Sequence, residues 1–256
     1  MSPMAILTDV TKCIGCEECV RACKNTNDTG DDLPWHWQSR VDDLSASRWT
    51  TLVRVSEDRY VRQQCRHCLE PACVSACPVG ALHKTPEGAV VYNSDICMGC
   101  RYCMMSCPFG IPRYLWSAAV PYVRKCILCH DKIARGELAQ PACTKACPNE
   151  ATIYGSRDQL LAEAHKRIRE NPGHYINRVW GEKEVGGTSV MYISDVSLDF
   201  LGWKKDLGND PLPQKTLAAL RQVPFVFSGM GICMFGLYWI IERRRKLAQK
   251  HAESEK

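Results

Sequence analysis

The 256 residues predict an α+β fold of two similar cysteine-bearing units with an inserted β segment, followed by a single C-terminal transmembrane helix. Three observations carry that prediction. Sixteen of the seventeen cysteines fall into four groups of four, and compact groups alternate with expanded ones, as in a pair written twice. Near the other end, Pro224 to Ile241 runs eighteen residues without a charge. These set expected limits of 1–203 for the cysteine-rich domain, 204–223 for a linker, 224–241 for the membrane helix and 242–256 for a basic tail.

Met1 to Val10 has no cationic segment before an apolar stretch and no twin-arginine pair, so the sequence predicts no export signal there. The first cysteine group follows: Cys13, Cys16, Cys19 and Cys23 read C-x2-C-x2-C-x3-C. It is followed by Lys24 instead of proline, so its exit is expected to continue helically for a residue or two. Asn25 to Gln64 is the insert. Trp49 to Val55 in it has strand composition, and Trp35, Trp37 and Trp49 are read as core aromatics before partner-facing ones.

Cys65, Cys68, Cys73 and Cys77 read C-x2-C-x4-C-x3-C, with Pro78 next. Cys97, Cys100, Cys103 and Cys107 repeat the first spacing, with Pro108 next. Cys126, Cys129, Cys143 and Cys147 keep the opening and closing spacings around a thirteen-residue insert, with Pro148 next. Tyr60 to Cys65 is echoed by Tyr122 to Cys126, and Ala72-Cys73 by Ala142-Cys143.

Zinc ribbons use two C-x2-C pairs and have no need of the third and fourth cysteines at these steps. Disulfides between thiols this crowded would pair ambiguously. The pattern is the bacterial ferredoxin signature, in which three close cysteines hold one cluster and the fourth reaches a neighbouring one. Two-residue gaps wrap three corners of a cubane, the x3 step throws the fourth thiolate out of reach, and proline redirects the chain. The expectation is two ferredoxin-like units carrying four 4Fe-4S clusters; spacing leaves open whether group one pairs with two or with four. His67 and His130 lie inside these loops, where four cysteines per group leave them no ligand role. Lys12, Arg21, Arg66, Arg101, Arg124 and Lys125 either tune the clusters electrostatically or are solvated loop charges.

Ser156 with Gln159 reads as a capping box. Leu160, Leu161, Ala164 and Ile168 then recur at helical spacing until Asn171-Pro172-Gly173, giving a helix expected to pack on the cluster core. The apolar run at 224–241 matches the short end of a membrane span, of roughly 17 to 25 residues. Tyr238 and Trp239 lie at its interface, and Arg243 to Lys246 follow at once, which places the tail in the cytoplasm and the bulk outside. A buried core helix is the competing reading. Cys233 is a small apolar residue in this run, and Gly229, Gly231 and Gly236 permit close approach of another membrane helix.

The formal charge of +5 invites a nucleic-acid partner. Four clusters of about −2 each, ligands included, turn it to roughly −3, and no basic helix or stacking motif supports nucleic-acid binding. No nucleophile–base pair or phosphate loop stands out, so no chemistry of the chain's own is expected.

The four groups in this order, with KCIGCEECVRAC, QQCRHCLEPACVSACPVGAL, ICMGCRYCMMSCPFGIPRY, the Gly186 to Tyr192 segment and one C-terminal span, resemble the iron–sulfur subunit of membrane-bound formate dehydrogenases. They are similar too to the iron–sulfur subunit of periplasmic quinone-reducing hydrogenases. The resemblance covers nearly the whole chain, and all sixteen cysteines are present. It implies ligand exchange between groups one and four and between two and three. The implied sets are Cys13, Cys16, Cys19 with Cys147; Cys126, Cys129, Cys143 with Cys23; Cys65, Cys68, Cys73 with Cys107; and Cys97, Cys100, Cys103 with Cys77.

It further implies a non-catalytic relay in the inner membrane, its cluster domain periplasmic. Electrons would pass between a catalytic molybdopterin (or nickel–iron) subunit and a membrane cytochrome b-type or quinone-binding subunit. The missing signal then implies a partner that carries one. A cluster-bearing redox sensor is the reading from a different class.

Overall fold

The structure, a computed structural model, describes residues 2–30, 44–116, 122–203 and 205–254; Trp35 and Trp37 lie outside them. The described chain divides into two units, Met1–Pro213 and Gln214–Lys256.

The first unit is organised by β1 (Met4–Asp9), whose sequence MAILTD is buried along nearly its whole length. It is the middle strand of three, antiparallel to β8 (Thr152–Ser156) and parallel to β9 (Val190–Ile193). Side chains alternate across a strand, so its two faces serve two cores. Ala5 and Leu7 meet Leu160, Ala164 and Ile168 of α6 (Arg157–Glu170). Ile6 and Val10 face the other way, into a core that includes Cys19, Cys23, Cys126 and Cys143. A strand covered on both faces reads as a continuous apolar run.

Two expectations about α6 need correction. The helix packs on the sheet and leaves the cysteine core to the sheet's opposite face. Ser156 is the residue before the helix but forms no side-chain cap. It belongs to β8, opposite Met4. The first helical N–H groups are taken instead by the N-terminal segment, the Arg157 N–H by the Pro3 carbonyl at 2.9 Å and the Asp158 N–H by Ser2 Oγ at 3.4 Å.

β2 (Thr50–Ser56) and β3 (Arg59–Gln64) form an antiparallel hairpin around Glu57-Asp58, within one residue of the strand expected from Trp49. Trp49 is buried and its Nε1 donates to the Ala46 carbonyl at 2.9 Å. Two short hairpins, β4 (Leu82–Lys84) with β5 (Val90–Tyr92) and β6 (Arg113–Tyr114) with β7 (Val123–Arg124), complete the strands.

The helices between them are one to three turns long: α1 (Glu18–Asn27), α2 (Ala72–Ser75), α3 (Tyr102–Ser106), α4 (His130–Ala134) and α5 (Ala142–Lys145). Without a proline after Cys23, α1 runs on to Asn27, further than the residue or two expected. It stops where Asp28 turns left-handed at φ +47° and bonds the Lys24 carbonyl.

The second unit holds most of α7 (Leu212–Leu220) and all of α8 (Val223–Ser254). Helix α8 is long and apolar enough to cross a membrane, and none of its apolar window is buried in protein. Phe225 is 79% exposed and Ile232 75%, unlike the side chains of a core helix. Eighteen residues at 1.5 Å each give about 27 Å, close to a hydrocarbon core of about 30 Å.

Asp9 ties the sheet to the first cysteine. It is 1% exposed. Oδ1 accepts from the Thr11 N–H (3.1 Å) and hydroxyl (2.6 Å), capping the turn that leads into Cys13. Oδ2 accepts from Arg167 (3.2 Å) and Tyr175 (3.0 Å). Asp9→Ala strands all of these donors and is expected to lower stability by about 2–4 kcal/mol, read as an earlier denaturant midpoint; an unchanged midpoint would contradict this role.

Candidate metal centres

The C-x-x-C loop that opens each group is closed by one backbone device. The residue just before the second cysteine is left-handed in all four: Gly15 at φ +75°, His67 at +47°, Gly99 at +74° and Leu128 at +61°. Such a residue turns its N–H inward, making the concave backbone nest that suits anions and iron–sulfur sites. The Leu128 N–H accordingly meets Cys126 Sγ at 3.4 Å, and the Gly15 N–H supports Cys13. Glycine is required in the compact groups for a second reason. A Cβ on Gly15 would lie 2.7 Å from the Tyr60 ring, and one on Gly99 2.5 Å from Tyr114 Oη.

The last cysteines share another device. The carbonyls of Cys77, Cys107 and Cys147 accept from the N–H of Gly80, Gly110 and Glu150, three residues on, all left-handed. The proline between fixes φ for such a turn. Cys19, Cys73, Cys103 and Cys143 ride on α1, α2, α3 and α5.

These loops bring the thiols into four quartets. Cys13, Cys16, Cys19 and Cys147 ring one hollow, together with Arg62. Cys77, Cys97, Cys100 and Cys103 ring another. Cys23 lies within electrostatic reach of Cys126, Cys129 and Cys143, and Cys68 of Cys65, Cys73 and Cys107. The quartets also neighbour one another in series: Cys19 approaches Cys143, Cys126 approaches Cys65, and Cys73 approaches Cys103. All seventeen cysteines are free thiols, and among the described residues no three metal-ligating side chains converge tightly enough for one ion. Two of the quartets frame a hollow. A set of four soft sulfur donors around a volume suits an iron–sulfur cluster.

Electrostatics explain what else the site requires. Burial pushes the Cys19 and Cys73 thiols up to about 12 and Cys103 up to about 11. Burial likewise raises Cys23, Cys68 and Cys126. Buried thiolates need buried cations, and the fold supplies them. Lys125 is buried and bonds the Val90 and Cys126 carbonyls. Lys84 donates to the carbonyls of His67, Cys68 and Gly88 at 2.7–3.0 Å, and burial brings its pKa down to about 8. Arg66 is enclosed by Phe109, Tyr192 and Trp203, 4.7–5.8 Å from each ring centroid. Arg62 is 2% exposed. Burial works against its charge, but Cys143 and Cys19 outweigh that and hold the guanidinium protonated.

The expected cations therefore divide: Arg66 and Lys125 are interior, Lys12, Arg21 and Arg101 exposed, and Arg124 half-buried. Arg62 and Lys84 were not singled out in the sequence. No alternation in β3 marked Arg62 out, because Val61, Arg62, Gln63 and Gln64 are all buried just before Cys65. His67 accepts the Val90 N–H on Nδ1 at 2.9 Å; burial, then Lys125 and Lys84, keep its pKa low, so it is a neutral interior group.

Comparison with known proteins agrees with the donor set. A family model described as a 4Fe-4S dicluster domain matches residues 57–157, and a second with the same description matches residues 12–81. The chain is 42% identical to a protein of Nitratidesulfovibrio vulgaris, over 98% of this chain and 70% of that one. It is 38% identical to the iron-sulfur subunit of the nitrate-inducible formate dehydrogenase of Escherichia coli K12, over 74% and 67%. It is 34% identical to the hydrogenase-2 operon protein HybA of Escherichia coli O157:H7, over 79% and 73%.

Gly99→Ala puts a side chain at a left-handed position against the Tyr114 hydroxyl and is expected to cost about 1–3 kcal/mol. Adding Tyr114→Phe removes the clashing oxygen and should recover the steric part. Equal thermal midpoints for wild type and Gly99→Ala would show that the loop does not need glycine.

Proposed function

The chain belongs to the family of 4Fe-4S dicluster proteins that includes the iron–sulfur subunits of formate dehydrogenase and the hydrogenase-2 operon protein HybA, and we propose that it conducts electrons between a catalytic subunit and a membrane subunit. When bound, four 4Fe-4S clusters supply the one-electron carriers. The observation that carries the reading is the unbroken series of thiol quartets, joined at Cys19/Cys143, Cys126/Cys65 and Cys73/Cys103.

In this reading Cys13, Cys16, Cys19 and Cys147 hold one cluster, and Cys23, Cys126, Cys129 and Cys143 the next. Cys65, Cys68, Cys73 and Cys107 hold the third, and Cys77, Cys97, Cys100 and Cys103 the fourth. Group one thus exchanges its last ligand with group four, and group two with group three, so that each unit joins one compact and one expanded group, with β2 and β3 in the insert. The protein's own contribution is to fix the thiolates on short loops, exclude water from them and surround them with buried cations.

The catalytic partner in this reading is a molybdenum or tungsten formate dehydrogenase subunit. A nickel–iron hydrogenase subunit, or the subunit of another molybdopterin oxidoreductase, is the second reading, and the identity with HybA is compatible with it. The membrane partner is a cytochrome b-type or quinone-binding subunit. Helix α8 anchors the relay in lipid, with 242–256 in the cytoplasm and the cluster domain in the periplasm, supported by the cations at 243–246.

Metal analysis of the complex that co-purifies with the tagged chain tests this. About sixteen irons from this chain with molybdenum or tungsten support the formate dehydrogenase reading, and nickel moves the catalytic partner to a hydrogenase. Iron with no large partner contradicts the relay. Pairing has its own test. The double variant Cys13→Ser, Cys147→Ser is expected to lose about four irons, because both thiols serve one cluster; a loss of about eight would place them on different ones.

A further inference from the structure

Arg62 differs from every other interior cation described above. Lys84 and Lys125 spend their ammonium protons on backbone carbonyls. Arg66 donates to the Tyr192 hydroxyl and lies among three rings. Arg62 is equally buried, yet no oxygen or nitrogen acceptor meets Nε, Nη1 or Nη2, and the group its side chain addresses is the Cys143 thiol. The side chain is held in place from behind. Its strand pairs Leu52 of β2 across from it, and its carbonyl accepts the Tyr192 hydroxyl at 2.9 Å.

Its position accounts for the missing acceptor. Arg62 lines the hollow ringed by Cys13, Cys16, Cys19 and Cys147. It also faces Cys143, of the neighbouring quartet. Its charge reaches Cys13 and Cys19 on one side and Cys23 and Cys143 on the other. An unpaired buried guanidinium is costly unless a negative group meets it, and five fixed donors allow one arginine to address two sites.

We propose that Arg62 is a fixed counter-charge shared by the first two clusters, holding the reduction potentials of both above what their burial alone would give. This rests on the reading that the quartets carry clusters. Reduction adds a negative charge, so a cation between two clusters stabilises the reduced form of each. It also weakens the repulsion between them when both are reduced. Arg62 is thus a positioning residue for charge: it binds no substrate and moves no proton.

The test is an EPR-monitored redox titration of the intact complex carrying Arg62→Gln, with iron counted in parallel. Two of the four clusters are expected to show at least a tenfold lower ratio of reduced to oxidised form at a given potential, about 59 mV for a one-electron couple. The other two should stay within threefold of wild type. Arg62→Lys, which keeps the charge, should hold all four within threefold. Retained iron with an unchanged titration in Arg62→Gln overturns the proposal, as does an equal shift of all four clusters. If Arg62→Gln loses iron, Arg62→Lys decides: full iron with wild-type ratios supports the shared charge, and loss of iron there too assigns Arg62 to packing alone. Absence of any cluster signal in the wild-type complex would overturn the underlying reading instead.

Discussion

The cost of burying thiolate charge governs the first unit. A sulfur anion in a dry interior is unfavourable until backbone N–H dipoles, cations or metal offset it. The chain answers with all three. Four left-handed residues close the loops, and the Gly15 and Leu128 amides meet sulfur; Arg62, Lys84 and Lys125 bring charge to the interior; and the quartets gather the sulfur donors for iron. His67 and Leu128 adopt the left-handed backbone without being glycine, at a strain of order 1–3 kcal/mol each, which shows how firmly the loop geometry is imposed.

That constraint also explains why the secondary structure is so fragmentary. Helices of four or five residues, such as α2, α3, α4 and α5, cannot persist in isolation, because nucleation consumes most of what so few hydrogen bonds return. They are fixed by the loops on either side. Where ligands must be deprotonated and no preformed site exists in the unfolded chain, metal binding is part of the folding free energy. The regular scaffold is confined to the sheet of β1, β8 and β9 with α6 behind it, and Asp9 connects that scaffold to the first cysteine loop.

Much of this was legible in the residues. The cysteine spacing pointed to the donor set, because C-x-x-C and Cys-Pro are short-range devices whose geometry is local. The apolar run at 224–241 was legible because a membrane span is set by composition alone. The period of Leu160, Ala164 and Ile168 located α6 but not the surface it covers, since periodicity fixes a face and says nothing of the partner. The Ser156–Gln159 pattern was overridden by β8, whose pairing with β1 claims Ser156 while Ser2 and Pro3 take the helix N-terminus. Arg62 escaped notice because a charged residue in a strand reads as outward-facing until the long-range packing of both its faces is known.

The chain's role as a conductor requires its redox centres to lie close enough to sense one another along the series of quartets. The most direct measurement is quantitative EPR of the fully reduced complex. Four unpaired spins are expected from this chain, one per 4Fe-4S cluster, with line shapes broadened by interaction between neighbours. Fewer than four spins, or four signals without mutual broadening, would contradict a continuous path.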